Sequence, residues 1–424
     1  PLDQLTKIIN DALNGTAKLH KSFKTFFVTT SILFLSMTKR KNFTQMALFS
    51  DCSESRFRQN FRKKFDWVGY NLAYCREKLR HRIAIAIDPS YIPKSGKHTP
   101  GTGYFWSGCE SAAKWGLEIL GIALVDADER DAIHLRAVQT VDIVSKGRPP
   151  KYLAGMDNPN SLLAWYLKVI ASQKDALLEV CKTIVANAYF SKEPFVDGLI
   201  DLGFNIISRF RSDVRLRYLY DGPKTGKRGR PKVYGDRVDI RNLDMNVFVS
   251  EDITSDDKVV TLYSSVVWSV GLKRKVKVVI VDCLEPGKKT QERKVFFSTE
   301  TSMSAKDIMD IYRSRFQIEY LYRDAKQFTG LTHCQSRKRE SLDFAFNMSL
   351  SSINVARFFS RSCGMHLSVS NVKTLIHNAD MIQRFIRMSG KRPHRLLNTN
   401  DFKELLFTVS RTLRDYSIFN ELLS

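Results

Sequence analysis

The chain has 424 residues, 43% of them hydrophobic, with few Gly and Pro; that is enough for a substantial core in two or three domains and excludes a disordered tail. Its 67 Lys and Arg outnumber 44 Asp and Glu, a net charge of +23, and an excess of that size points to a polyanionic partner, nucleic acid ahead of a membrane surface. The seven cysteines (52, 75, 109, 181, 283, 334, 363) include no Cys-x-x-Cys pair, so they read as reduced cytoplasmic thiols rather than zinc or redox ligands.

Residues 1–80 read as a helical DNA-binding domain carrying 15 Lys and Arg against 6 Asp and Glu. The apolar run 26–37 contains Thr and Ser and falls short of the roughly 20 residues that span a bilayer, so it predicts a buried helix. No export leader pattern appears. Within 43–65 a short apolar helix, a Ser-Asp turn and a second helix fit a helix-turn-helix presenting Arg56, Arg58, Gln59 and Arg62 to DNA.

Residues 81–340 predict an α/β domain. The run 82–88, "RIAIAID", is continuously apolar and ends in Asp88, the pattern of a buried central strand. Strands follow at 116–128 and 132–142, a helix at 161–181, a strand at 183–190, a helix near 194–202 and a strand at 204–210; alternation of this kind builds one sheet with helices on it. Residues 209–241 are basic and loop-like, with 11 Lys and Arg against 4 Asp, and 259–284 is strand-rich, so an insertion is expected over about 211–300. A helix is predicted over 304–328, and residues 341–424 form a C-terminal helical region.

On that last core helix Tyr312, Arg315, Glu319 and Lys326 fall at 0, 300, 340 and 320°, taking about 100° per residue. They share one arc beside an apolar strip of Ile311, Ile318, Leu321 and Ala325. A solvated ion-pair face would be the plainer reading of such a stripe. The adjoining strip, however, keeps these polar groups close to the sheet.

The spacing Tyr-x2-Arg-x3-Glu-x6-Lys resembles the signature of DDE transposases of bacterial insertion sequences, in the IS-four-like group with an RNase H-like catalytic core. "AIAIDPSYIPKSGK" resembles that family's first catalytic strand and "TIVANAYFSK" its second, and the β-rich insertion precedes the Glu helix as in the family; the resemblance covers roughly residues 82–335. It implies a homodimeric enzyme of the nucleoid-associated bacterial cytoplasm, binding terminal inverted repeats and target DNA, and performing cut-and-paste strand cleavage and transfer, with hairpin ends as one route. It implies Asp88, position 187 and Glu319 as ligands of two Mg²⁺ ions, with Mn²⁺ as the substitute, and Tyr312, Arg315 and Lys326 as phosphate contacts. Such ions want rigidly held oxygen donors, which carboxylates on strand ends and a packed helix supply.

One position departs from the family. Where its second aspartate is expected, in a pattern like "ADAYFS", this chain has Asn187, and an amide offers one neutral oxygen and no charge. The expectation is a chain inactive as written, by introduced or natural replacement. A catalytically dead DNA-binding protein derived from a transposase, or another RNase H-like nuclease, is the alternative. Further DNA contacts are expected from Lys94 and Lys97 beside Asp88, from Arg209 and Arg211, and from Lys227, Arg228, Arg230 and Lys232 in "KRGRPK", which resembles a minor-groove AT-hook core. Trp268 is a candidate for stacking on an unpaired base, against the plainer reading of a core aromatic.

Overall fold

The computed structural model describes residues 1–16, 18–75, 79–141, 150–222, 232–255, 258–283, 292–364 and 366–389. The chain opens with helices α1 (Leu2–Asn14), α2 (Lys21–Ser36), α3 (Phe43–Leu48), α4 (Glu54–Asn60) and α5 (Trp67–Leu72). In α1 the buried residues Leu2, Leu5, Ile8, Ile9, Ala12 and Leu13 recur every three or four positions, giving one apolar stripe. The 26–37 run lies in α2 and is buried along most of its length, as its composition predicts. No helix among the described residues is long and apolar enough to cross a membrane.

The core sheet follows: β1 (Ile83–Pro93), β2 (Gly103–Ser107), β3 (Ala112–Asp126), β4 (Asp131–Gln139), helices α6 (Leu162–Ser172) and α7 (Lys174–Leu178), β5 (Thr183–Val185), α8 (Glu193–Asp201) and β6 (Asn205–Arg209). β1 runs antiparallel to β3 and parallel to β5, which is parallel to β6. The other edge of β3 is shared: β2 pairs along 112–116 and β4 along 119–126. The order β4-β3-β1-β5-β6 is that of an RNase H-like core, and Ala84 to Ile87 at its centre are fully buried.

After β6 come β7 (Leu216–Leu219), β8 (Tyr234–Arg237), β9 (Val249–Ser255), β10 (Lys258–Ser269), β11 (Arg274–Cys283) and β12 (Glu292–Ser298). β12 returns antiparallel to β6, so the inserted strands continue the core sheet rather than standing apart from it. Four elements of this region, β7, β8, β9 and β12, were not expected as strands. β7 and β8 are four residues long, with Leu216 their one buried residue, too short for an alternating apolar pattern to declare itself.

The chain then forms α9 (Ala305–Ser314), α10 (Gln317–Asp324), α11 (Arg339–Ser362) and α12 (Val369–Met388). The single straight helix expected over 304–328 is broken. Around Arg315 the N–H groups of Arg315, Phe316, Ile318 and Glu319 all bond three residues back, and Ala325–Thr329 is a turn of π-helix that stops at left-handed Gly330, φ 78°. The reason lies in what the two halves rest on. α9 packs against β6, the inserted strands β10 to β12 and β3, α10 against β1, β3 and β4, and a twisted sheet does not offer one straight bed to both.

The helical flanks pack on one another and on the core. α2 touches α1, α11 and α12, and α11 touches β4. Phe27 of α2 meets Phe65, Trp67 and Tyr70, and Phe344 of α11 meets Phe61 and Trp67, with centroids 4.6–6.3 Å apart in these pairs and in the direct Phe27–Phe344 contact. Rings in tilted and edge-on contact add directional packing to their burial.

Candidate active site

Asp88 is the middle residue of β1, which runs on to Pro93 instead of stopping at 88, because residues 89–93 stay paired with β3; its side chain is 14% exposed. The strand expected over 183–190 ends sooner, at Val185, because Asn187 caps a 3₁₀ turn, Ala188–Phe190, by accepting the Tyr189 N–H at 2.9 Å. With its oxygen engaged there, the amide turns Nδ2 toward β1 and donates to Asp88 Oδ1 at 3.3 Å. The backbone carbonyl of Asn187 accepts from Ser208 Oγ of β6 at 3.0 Å, which fixes the turn on the sheet.

Arg315, at the break between α9 and α10, joins the third group. Its Nη2 meets Glu319 Oε1 at 3.0 Å and its Nη1 lies 3.5 Å from Asp88 Oδ1. The guanidinium is buried, and its Nε and Nη1 have no hydrogen-bond acceptor among the described residues. Buried donors of this kind are costly until an acceptor arrives. The guanidinium also sits over the Phe316 ring, 4.5 Å from its centroid, and 5.9 Å from that of Tyr312. Tyr312 itself is buried edge-on against Phe296 of β12, 4.7 Å between centroids, so the inserted strands brace the Arg315 turn.

Lys326 opens the π turn and donates to Ser90 Oγ at 3.1 Å. Ser90 is two residues beyond Asp88 on β1, hence on the same face. Burial pulls the Lys326 ammonium below its usual range, with Asp88 among the charges opposing that shift.

Sequence reasoning missed Tyr322. Its hydroxyl donates to the backbone carbonyl of Asp88, and it passes over Gly121, the residue paired with Asp88 across β1 and β3. A Cβ at 121 would stand 2.0 Å from the Tyr322 hydroxyl oxygen, so only glycine leaves room. The available signal was spacing: 319, 322 and 326 recur every three and four positions along the same face.

The electrostatics of the cluster are those of crowded carboxylates. Burial raises the Asp88 carboxyl to about 7; Arg315 opposes the shift, while Glu319 and the buried Glu118 add to it. Glu118 is held by Tyr166 Oη at 2.7 Å and Thr140 Oγ1 at 2.8 Å, and burial raises its carboxyl too. A cation between such carboxylates would favour their ionised forms. Asp88 and Glu319, both within reach of one guanidinium, are hard oxygen donors that fit a divalent ion; Asn187, with its NH₂ toward Asp88, does not fit as a third ligand in this orientation. A second group, His81, Asp126 and Asp128 at the start of β1, could hold a metal ion. There, however, Arg82 already bridges Asp128, Asp307 and Asp310.

The remaining candidates are dispersed. Arg56, Arg58, Gln59 and Arg62 are exposed on or just after α4, with Arg58 paired to Glu54 and lying over Phe43. Lys94 is turned inward, donating to the Cys334 carbonyl, while Lys97 is exposed. Arg209 and Arg211 line a groove of about 860 Å³ together with Tyr189, Lys192 and Arg215, so it begins beside the Asn187 turn. Lys232 lies over the Tyr220 ring at 4.7 Å. Trp268 is half-buried against Tyr234, 5.7 Å between centroids. Lys227, Arg228 and Arg230 lie outside the described residues.

Two family models match the chain. One, described as "DDE superfamily endonuclease", matches residues 18–247, just over half the chain, and spans Asp88 and Asn187. The other, described as "Transposase DDE domain", matches residues 171–355 and spans Asn187 and Glu319. No curated protein matches the chain.

Proposed function

As the chain belongs to the DDE superfamily of endonucleases, we propose that it is a transposase of the IS-four-like group, built to bind DNA ends and to cut and join strands at the Asp88 cluster. The observation that carries this reading is the convergence on Arg315: Asp88 from β1, Asn187 from the turn after β5 and Glu319 from α10 are linked through two ion-pair distances and one hydrogen bond.

The roles follow from position. Asp88 and Glu319 would hold a divalent ion, Mg²⁺ or Mn²⁺, whose chemistry when bound is to polarise a phosphoryl oxygen and to acidify the attacking water or 3′-hydroxyl. Arg315, with unsatisfied donors in a buried site, takes phosphate oxygens beside the scissile bond, and Lys326 steadies the same phosphate from the Ser90 side. Tyr322 holds the Asp88 backbone and Tyr312 braces Arg315; both act as positioning residues. The groove bearing Arg209 and Arg211 receives the strand leaving the site. α4 binds the terminal inverted repeat through Arg56, Gln59 and Arg62. Joining two ends in one complex requires a homodimer, with the C-terminal helices as part of the contact.

Asn187 sets the activity of this chain. Its amide supplies no negative charge and spends a donor on Asp88, so two ions are poorly held and cleavage is weak. That hydrogen bond also favours the second reading, a DNA-binding protein that keeps the surface and has lost catalysis. A Mg²⁺-dependent cleavage assay on element-end DNA, comparing this chain with Asn187→Asp, decides between them. Cleavage by the variant supports a transposase site disabled at one position. A variant that binds DNA and stays inert removes the catalytic assignment.

A further inference from the structure

The β2–β3 hairpin carries an aromatic face that the catalytic reading does not use. Tyr104 pairs with Trp115 and Trp106 with Ala113 across the hairpin, and residues directly opposite one another, or two apart on a strand, share a face. Tyr104 is 75% exposed, Trp106 64% and Trp115 38%, and the Tyr104 and Trp115 rings meet edge-on at 73°, 5.5 Å between centroids. Three large rings on one short hairpin face are far more apolar surface than an isolated exposed residue.

The hairpin also stands next to the active site. β3 runs from it directly alongside β1 past Ser90 and Asp88, the Tyr91 hydroxyl of β1 donates to the Trp115 carbonyl at 2.6 Å, and Cys109 in the hairpin turn lies within electrostatic range of Lys326. Tyr104 and Trp106 are two strand residues apart, about 6.8 Å, which is twice the ~3.4 Å spacing of successive nucleotides. That spacing matches the separation of two parallel rings with one base between them. Aromatic faces accept any base by stacking, without reading its edges, and the excess of 67 Lys and Arg over 44 acidic residues supplies attraction for the backbone.

From this arrangement we infer that Tyr104, Trp106 and Trp115 form a stacking platform for unpaired bases of the nucleic acid strand next to the cleavage site. The inference rests on the DNA-processing reading above and assigns a place to any single-stranded bases beside the scissile bond. Trp268, the aromatic singled out by sequence for this task, is packed on Tyr234 instead.

The test uses the full chain and two fluorescent probes, a blunt DNA duplex and the same duplex with a five-nucleotide single-stranded extension, followed by anisotropy in EDTA. The wild type should bind the extended probe more tightly, roughly five- to a hundredfold for one stacked base. Trp106→Ala and Tyr104→Ala should abolish the preference while leaving blunt-duplex affinity unchanged, and Trp106→Phe should keep most of it, a rescue that a merely structural role would not produce. A wild type without preference, or alanine variants that retain it, overturns the platform while the blunt duplex still reports on DNA binding. Variants that change only the oligomeric state also overturn it, since the face would then be a contact between copies. A wild type that binds neither probe defeats the DNA reading and the platform together.

Discussion

Replacing Asp88 by Asn removes a buried carboxyl that the surrounding site holds near 7, against an ordinary value of 3.8. A folded-state value above the unfolded one means that the native chain binds the proton more tightly; the group's contribution is fully present below pH 3.8 and is lost as pH rises through about 7. At ~1.36 kcal/mol per pH unit, ionising Asp88 in the folded protein costs about 4 kcal/mol by pH 8, a large part of the roughly 5–15 kcal/mol that holds a domain together. The cause is burial first, with Glu319 and Glu118 adding to it and Arg315 opposing. Asp88→Asn carries no such cost, so its advantage over wild type should be small at pH 4 and approach about 4 kcal/mol at pH 8. The assay is chemical unfolding of both proteins in EDTA across that range. Carboxylates remote from Asp88 titrate in both and cancel in the difference. A difference that stays flat with pH, or a variant less stable than wild type at pH 8, would refute the account of crowded carboxylates awaiting a cation.

Other outcomes follow from the same geometry. Asn187→Asp places a second carboxyl against Asp88, so in EDTA its melting temperature should fall by several degrees, and millimolar Mg²⁺ should raise it far more than in wild type; equal shifts in the two proteins count against Asp88 and residue 187 sharing an ion. Gly121→Ala forces Tyr322 off the Asp88 carbonyl and should cost ~1–3 kcal/mol, partly recovered by adding Tyr322→Phe; no loss on thermal melting would mean that the approach is not constrained. Lys326→Met removes a partly buried ammonium, leaving stability unchanged or slightly raised, while affinity for end DNA drops roughly tenfold or more. Undiminished binding would exclude Lys326 from contact with phosphate.

Much of the scaffold was legible because burial leaves a pattern. The apolar run into Asp88 declared a central strand, and the arc of Tyr312, Arg315 and Glu319 lay beside an apolar strip that does face the sheet. What could not be read depended on partners remote in sequence. A helical wheel assumes constant turning, so it did not reveal the tightening at Arg315 or the π turn at Lys326, both imposed by the two different stretches of sheet beneath α9 and α10. Tyr322 mattered only once Gly121 was known to lie opposite Asp88. Asn187 was recognised as unusual, but the direction of its amide is set by the Tyr189 N–H, a bond that appears only when the strand stops at Val185. The hairpin aromatics escaped notice because β2 is only five residues long and no apolar run marks it, while Trp268 lay in the strand-rich stretch 259–284.

Because the inserted strands sit between the second and third members of the cluster, the order of synthesis matters. Positions 88 and 319 are 231 residues apart (319 minus 88), and at ~5–20 residues per second a ribosome needs roughly 10–50 s to travel between them. For the first 99 residues of that interval (187 minus 88) the emerging polypeptide holds Asp88 alone, and for most of the rest it holds Asp88 and Asn187 without Arg315, Glu319 or Lys326. The cluster proposed to engage a phosphate is therefore completed late in translation, and products ending inside the insert lack its third member.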